Sequence, residues 1–404
     1  YMDSQKAWQR FLMFGLLYFT QGTILGYFAS LNALYLLSNG LDMAAVGIFS
    51  SIALIPFMIK IIFGIMSDRY NFLGLGYRKP YIFMGLMVQF ACLLVVASLN
   101  PGKQYWLFVG LAFLLQLGMA FYDTCTDGLA LDITPEHEKG ILQGFMVGGR
   151  SIGVIVAAST AGLIAEHSWP WVFYFLAILT LLPIPMLFFI KEAAVRPGGE
   201  GFNWKAFSAF KQPQVLAAAA VGLIIFMVIV GANQLVNPAF SAHLDISLST
   251  AGLITTVWGI GCVIGALAGG FIMDRVGDRQ ATLLSMISVI LTLGLITLVA
   301  SLPMAFAGAA LFGLAYGASQ AIYFALAMKY TRPAIAASMF SILMAVTNIG
   351  QGVGLALGGV LADKIDYPPT FMVFAALNLL ALPLLPVVFG KGQKKVVRRH
   401  RAAA

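Results

Sequence analysis

Four ionisable residues, Lys60, Asp123, Asp127 and Arg150, interrupt stretches of sequence that are otherwise apolar. At the centre of a membrane helix each would cost at least roughly 2.5–3.5 kcal/mol, so each is expected to face a cavity or a partner. Asp123 and Asp127 are four residues apart, which puts both carboxylates on one face of a helix. A carboxyl beside a cation in such a cavity can exchange a proton in step with what the cation binds. Arg150 offers a planar fork suited to carboxylate or phosphate, and Lys60 offers a point charge. Together they are expected to hold an anionic group on a solute. The competing reading of Asp127 and Arg150 is a permanent structural ion pair; for Lys60 it is snorkelling toward the headgroups.

The second half of the chain has no such charges. It supplies Asn233, Gln234, Asn237, Gln320, Tyr323, Asn348 and Gln351, each able to touch solute or to join helices. Gln21 and Tyr18 near the N-terminus are further cavity candidates, and Asp132 reads as a gate or cap residue near the membrane surface. Cys92, Cys125 and Cys262 all lie in apolar stretches, and the four histidines form no ligand cluster, so neither disulfide, metal nor cofactor is expected. Tyr122-Asp123 has a superficial likeness to intramembrane aspartyl proteases. Those enzymes need aspartates on two helices and a G-x-G-D motif; here both aspartates share one segment and the motif is missing, so no enzyme is expected.

The elements that must position these residues follow from composition. Of 404 residues, 60% are hydrophobic and 10% charged, and mean hydropathy is +0.90. Soluble domains carry about 25% charged residues, so a water-soluble globule is excluded. Apolar blocks of roughly 20 residues suit membrane helices, and the ten-residue alternation of a β-barrel is missing. Spans are expected at roughly 10–38, 44–67, 80–99, 104–132, 141–165, 170–190, 214–240, 249–273, 281–300, 304–329, 335–362 and 368–389. The fold class is therefore all-α, with twelve transmembrane helices. The expected organisation is a six-helix bundle over 1–190, a cytoplasmic linker over 191–213, a second bundle over 214–390 and a basic cytoplasmic tail over 391–404. On this topology Lys60, Asp127 and Arg150 share one layer, on the order of 12–18 Å from the cytoplasmic end.

Charge orients the chain. With both termini in the cytoplasm, only Lys103 and Lys364 of the 24 Lys and Arg residues fall in outer loops. Lys60 and Arg150 lie within helices, and the remaining twenty face the cytoplasm, as cytoplasmic loops prefer. The net charge of +8 thus reflects membrane orientation, not a nucleic-acid partner. A multi-pass protein of the cell (inner) membrane is expected.

An internal repeat ties the halves together. Gly64–Arg69 (GIMSDR) matches Gly270–Arg275 (GFIMDR); Leu41-Asp42 matches Leu244-Asp245; and Ala161–Glu166 matches Gly358–Asp363. Gly270, Asp274, Arg275, Gly277 and Arg279 resemble the G-x-x-x-D-R-x-G-x-R signature of the major facilitator superfamily. The first copy instead carries an insertion before Tyr77-Arg78-Lys79-Pro80, a form that resembles the branch of AmpG-type muropeptide permeases, acetyl-coenzyme A transporters and folate–biopterin transporters. Tyr18–Gly22 and Asp123–Asp132 are similar to motifs of that branch. The resemblance implies alternating access around a central site, proton symport, a monomer, and cytoplasmic gates at Asp68, Arg69, Asp274 and Arg275. The expected activity is proton-coupled transport of a small organic anion. A non-transporting receptor or assembly factor on the same fold is the alternative.

Overall fold

The computed structural model describes residues 4–69, 78–135, 138–189, 203–329 and 336–390. The insertion at 70–77, the linker core at 190–202, the basic tail, His137 and His400 lie outside the described residues. So do the side chains of Asp68, Arg69, Asp132 and Gln143.

Twelve helices are long and apolar enough to cross a membrane: α1 (Ala7–Ser30), α2 (Met43–Ser67), α3 (Lys79–Val96), α4 (Tyr105–Ala130), α5 (Gly144–Ala165), α6 (Trp169–Phe189), α7 (Pro213–Leu244), α8 (Leu248–Val276), α9 (Asp278–Thr297), α10 (Leu302–Lys329), α11 (Ser338–Ile365) and α12 (Tyr367–Val388). The protein is an all-α, multi-pass membrane protein. Each expected span meets one of these helices. Two departures have local causes. The helix of α2 breaks at Ile59, just after Pro56, because proline removes a backbone donor and crowds the preceding turn; Lys60 therefore opens a new helical segment. In α12, Pro383 lies in a tighter turn over Leu379–Leu384.

Packing repeats between the first six and last six helices. In the first set α1 lies along α5, α4 packs on both α2 and α3, and α3 packs on α6. In the second, α7 lies along α11, α10 on α8 and α9, and α9 on α12. Small residues let these pairs approach until one backbone touches the other. Two helix pairs make the most extensive contacts between the sets, α2 with α11 and α5 with α8. The repeat exchanges one pair for the other.

These cross pairs close on glycine at the end of the bundle remote from the linker, here called the far face. A Cβ at Gly359 would sit 2.1 Å from the Met43 carbonyl oxygen, and one at Gly252 would sit 2.1 Å from that of Ala158. Hydrogen bonds add to the closure. The Asn237 amide donates across to the Ser30 carbonyl at 2.9 Å, and Asn348 donates to the Phe57 carbonyl at 2.9 Å. On the opposite, linker face, Asn203 donates from its backbone to Ser338, and Phe210 packs beside Ala206, Met339 and Ile342. Trp171 is exposed in keeping with an interfacial position, whereas Trp169 turns inward onto Tyr35, ring centroids 4.6 Å apart.

Candidate solute site between the two halves

Lys60, Asp123 and Asp127 lie together, with further partners drawn from α1. Lys60 Nζ lies 3.5 Å from an Asp123 carboxylate oxygen. Gln21 donates its amide to the other Asp123 oxygen at 2.8 Å. Asp127, one helical turn along α4, accepts the hydroxyl of Tyr18 from α1. One helix thus presents two carboxylates, the first held by a cation and an amide, the second by a phenol.

Arg150 stands apart from this arrangement. It pairs with neither Asp127 nor any other carboxylate among the described residues, and its side chain is exposed. Its backbone is locked against α1, since a Cβ at Gly22 would come within 2.1 Å of the Arg150 carbonyl oxygen. The guanidinium lies within electrostatic range of Asp127, Tyr18 and Tyr122 and, across the division between halves, of Tyr316. A permanent Asp127–Arg150 pair is therefore not formed here. The guanidinium keeps its donors for something else.

The polar residues of the second half divide by what they already bond. Asn237 is buried and bonds Ser30, Ala251 and Thr255. Gln234 donates to the Leu355 carbonyl, Gln351 to Asn348, and Tyr323, 1% exposed, to the Ala218 carbonyl. These join helices. Asn233 and Gln320 are only partly buried and have no hydrogen-bond partner among the described residues. Asp274 is exposed, and Arg275 stacks on the Phe271 ring of its own helix at 4.1 Å.

Trp258 on α8 and Tyr316 on α10 escaped the sequence reading. Their rings meet edge to face, centroids 5.1 Å apart. The Trp258 indole N–H is buried without a hydrogen-bond partner, as is the hydroxyl of Ser319, one turn beyond Tyr316. A tryptophan in mid-span, away from the interfacial belt where this residue concentrates, was the available signal. Tyr316 also falls four residues before Gln320, on the same helical face.

Arg78, in the motif before α3, is likewise more than a surface charge. It is 4% exposed and donates to Ser67 at 2.5 Å. A Cβ at Gly128 would lie 2.4 Å from its guanidinium carbon. The glycine following Asp127 makes room for a buried cation that ties α4 to the end of α2.

This layer, with charge on one side and amide and aromatic groups on the other, is the candidate solute site. Residues 11–236 and 223–403 match the Major Facilitator Superfamily, and the chain belongs to it. This is a family of transporters, not a class of enzymes. Among its relatives is the sialic acid transporter NanX of Escherichia coli (strain K12), 24% identical over 63% of this chain and 62% of that protein. The anhydromuropeptide permease of the same strain is 23% identical over 61% of this chain and 52% of its own length. The match thus spans less than two thirds of either relative. The structure of nucleoside transporter NupG superposes with a TM-score of 0.80 at 15% identity, covering 95% of this chain and 99% of that one. That likeness shows the shared fold.

Proposed function

We propose that the protein is a proton-coupled secondary transporter of a small organic anion, working by alternating access. The observation that carries this reading is the unpaired, exposed Arg150 beside two carboxylates that already have partners. A guanidinium within the membrane has a strong demand for an anion, and no carboxylate among the described residues pairs with it.

The coupling follows from charge balance. Lys60 can pair with Asp123 or with the solute, not fully with both. A proton on Asp123 removes the negative partner and frees the ammonium for the solute; Asp127, held by Tyr18, is a second proton site. The solute anion would lie on Arg150, with the rest of the molecule against Trp258, Tyr316, Asn233 and Gln320. The name of one relative, a sialic acid transporter, supports an acid as cargo. The two six-helix sets over 1–190 and 214–390 would move as units, in a monomer of the cell membrane with both termini cytoplasmic. Asp68, Arg69, Asp274 and Arg275 would close the linker face in the alternate state.

A thermal-shift screen of carboxylate and phosphate metabolites tests this on the purified protein, repeated with Arg150→Ala and Lys60→Ala. Anions are expected to stabilise the wild type and to lose most of their effect in Arg150→Ala. Stabilisation by neutral or cationic solutes alone would refute the anion. Solute-driven proton uptake in proteoliposomes then separates a carrier from a receptor, which binds without flux.

A further inference from the structure

The far face carries two carboxylates that solute chemistry does not use, and both do the same thing. Asp363, in the last turn of α11, accepts the backbone N–H of Met43 at 3.0 Å on one oxygen and that of Ala44 at 2.6 Å on the other. Glu166, just past the end of α5, accepts the Ser249 backbone N–H at 3.0 Å and its hydroxyl at 2.5 Å. Each carboxylate therefore caps the start of a helix in the other half: Asp363 caps α2, and Glu166 caps α8. The sequence repeat relates Glu166 to Asp363 and the start of α2 to that of α8. The two contacts are one device, built twice and crossed.

The capped helices show why the device is incomplete in either half alone. The first turn of a helix leaves N–H groups with no partner inside the helix. Asp42 takes that of Ala45 for α2, and Ser247 takes that of Thr250 for α8. The Asp42 cap is local and travels with its own half, whereas the Ser247 hydroxyl also reaches Glu166. The N–H groups of Met43, Ala44 and Ser249 are satisfied by a residue from the opposite half, at the positive end of the helix dipole, where an anion is stabilised. Reach depends on the glycine contacts beneath: a Cβ at Gly162 would lie 2.6 Å from the Leu248 carbonyl oxygen, and one at Gly47 would lie 2.5 Å from that of Leu355.

We infer that Asp363 and Glu166 are reciprocal latches that hold the far face closed, and that they are released together when the halves separate. Both carboxylates already stand exposed, so on opening water replaces their hydrogen bonds and those of the helix starts. The latch therefore biases the equilibrium without locking it. It acts whatever the solute, and its failure would leave the reading of Arg150 untouched.

The test uses the full chain in lipid nanodiscs, with the native cysteines replaced and Ile254→Cys introduced. Ile254 is 1% exposed, behind the α8 latch, so its alkylation rate reports rare openings. Spin labels at Lys103 and Ala300, exposed on corresponding far-face loops, report the distance between halves. Asp363→Ala and Glu166→Ala are each expected to raise alkylation roughly threefold and the double variant about tenfold, in line with the strength of caps and dipole contacts. The long-distance population is expected to grow in parallel. Asp42→Ala removes a cap from the start of α2 without crossing between halves, and is expected to leave alkylation unchanged. An unchanged rate in the double variant overturns the latch. So does an equal rise in Asp42→Ala, which would mean that loosening of a helix start, not separation of the halves, exposes Ile254.

Discussion

Gly252 and Gly265 lie on the same helix and face the same local problem. A Cβ at either would sit 2.1 Å from a carbonyl oxygen, that of Ala158 for Gly252 and that of Leu314 for Gly265. Ordinary contact begins at 3.4 Å, so alanine forces a retreat of about 1.3 Å, an overpacking worth about 1–3 kcal/mol. The consequences differ because the partners differ. Ala158 belongs to α5, in the other half, so separating the halves relieves the clash. Leu314 belongs to α10, which packs on α8 in any conformation of the second half. Gly252→Ala should therefore raise the far-open population about 5- to 150-fold, with little change in thermal unfolding. Gly265→Ala should lower the melting temperature by a few degrees, on the order expected for that cost, and leave the Lys103–Ala300 distance unaltered. Spin-label distances and thermal unfolding of the same samples read both quantities. If Gly252→Ala destabilises without opening, or Gly265→Ala opens the face, the division into two moving sets is wrong.

Further outcomes follow from the site. Gly128→Ala should cost about 1–3 kcal/mol in thermal stability, because the Arg78 guanidinium must leave a buried, hydrogen-bonded position; Gly144→Ala, where nothing lies within 4 Å of the new Cβ, should be neutral. Arg150→Lys should weaken binding of a stabilising anion at least about tenfold, since an ammonium cannot reproduce a planar fork; equal affinity in a titration would remove Arg150 from the solute site. The Ser249 hydroxyl and backbone N–H, with the Ser247 hydroxyl, hold the Glu166 carboxyl below its ordinary value. A carboxylate with a lowered pKa in the closed state favours closure above its ordinary value and loses that contribution as pH falls through the lowered one. The long-distance population of the Lys103–Ala300 spin-label pair should thus rise as pH falls below about 4.5, with a smaller rise in Glu166→Ala; an unchanged population there would contradict this.

The amino-acid sequence by itself determined the twelve spans, the doubled organisation and the identity of the charges within the spans. Each rests on local quantities. Runs of apolar residues have no stable place in water, a repeat is visible as text, and Lys60, Asp123, Asp127 and Arg150 stand out because ionisable groups are costly in their surroundings. The one-turn spacing of Asp123 and Asp127 likewise places both on one helical face whatever surrounds them. The superfamily was legible at Gly270–Arg279 for the same reason.

Only the tertiary structure decided which charge meets which. Lys60 takes Asp123, and Tyr18 takes Asp127, leaving Arg150 open, because pairing depends on helix rotation and on the break after Pro56, differences of a few ångströms that spacing along the chain does not encode. The same holds for Trp258 and Tyr316, whose meeting requires α8 to lie on α10. Glu166 and Asp363 read in sequence as matching ends of two helices. That each reaches across to the start of a helix in the opposite half is a property of two bundles packed face to face, since the N–H groups they satisfy are presented by a chain segment more than 80 residues away.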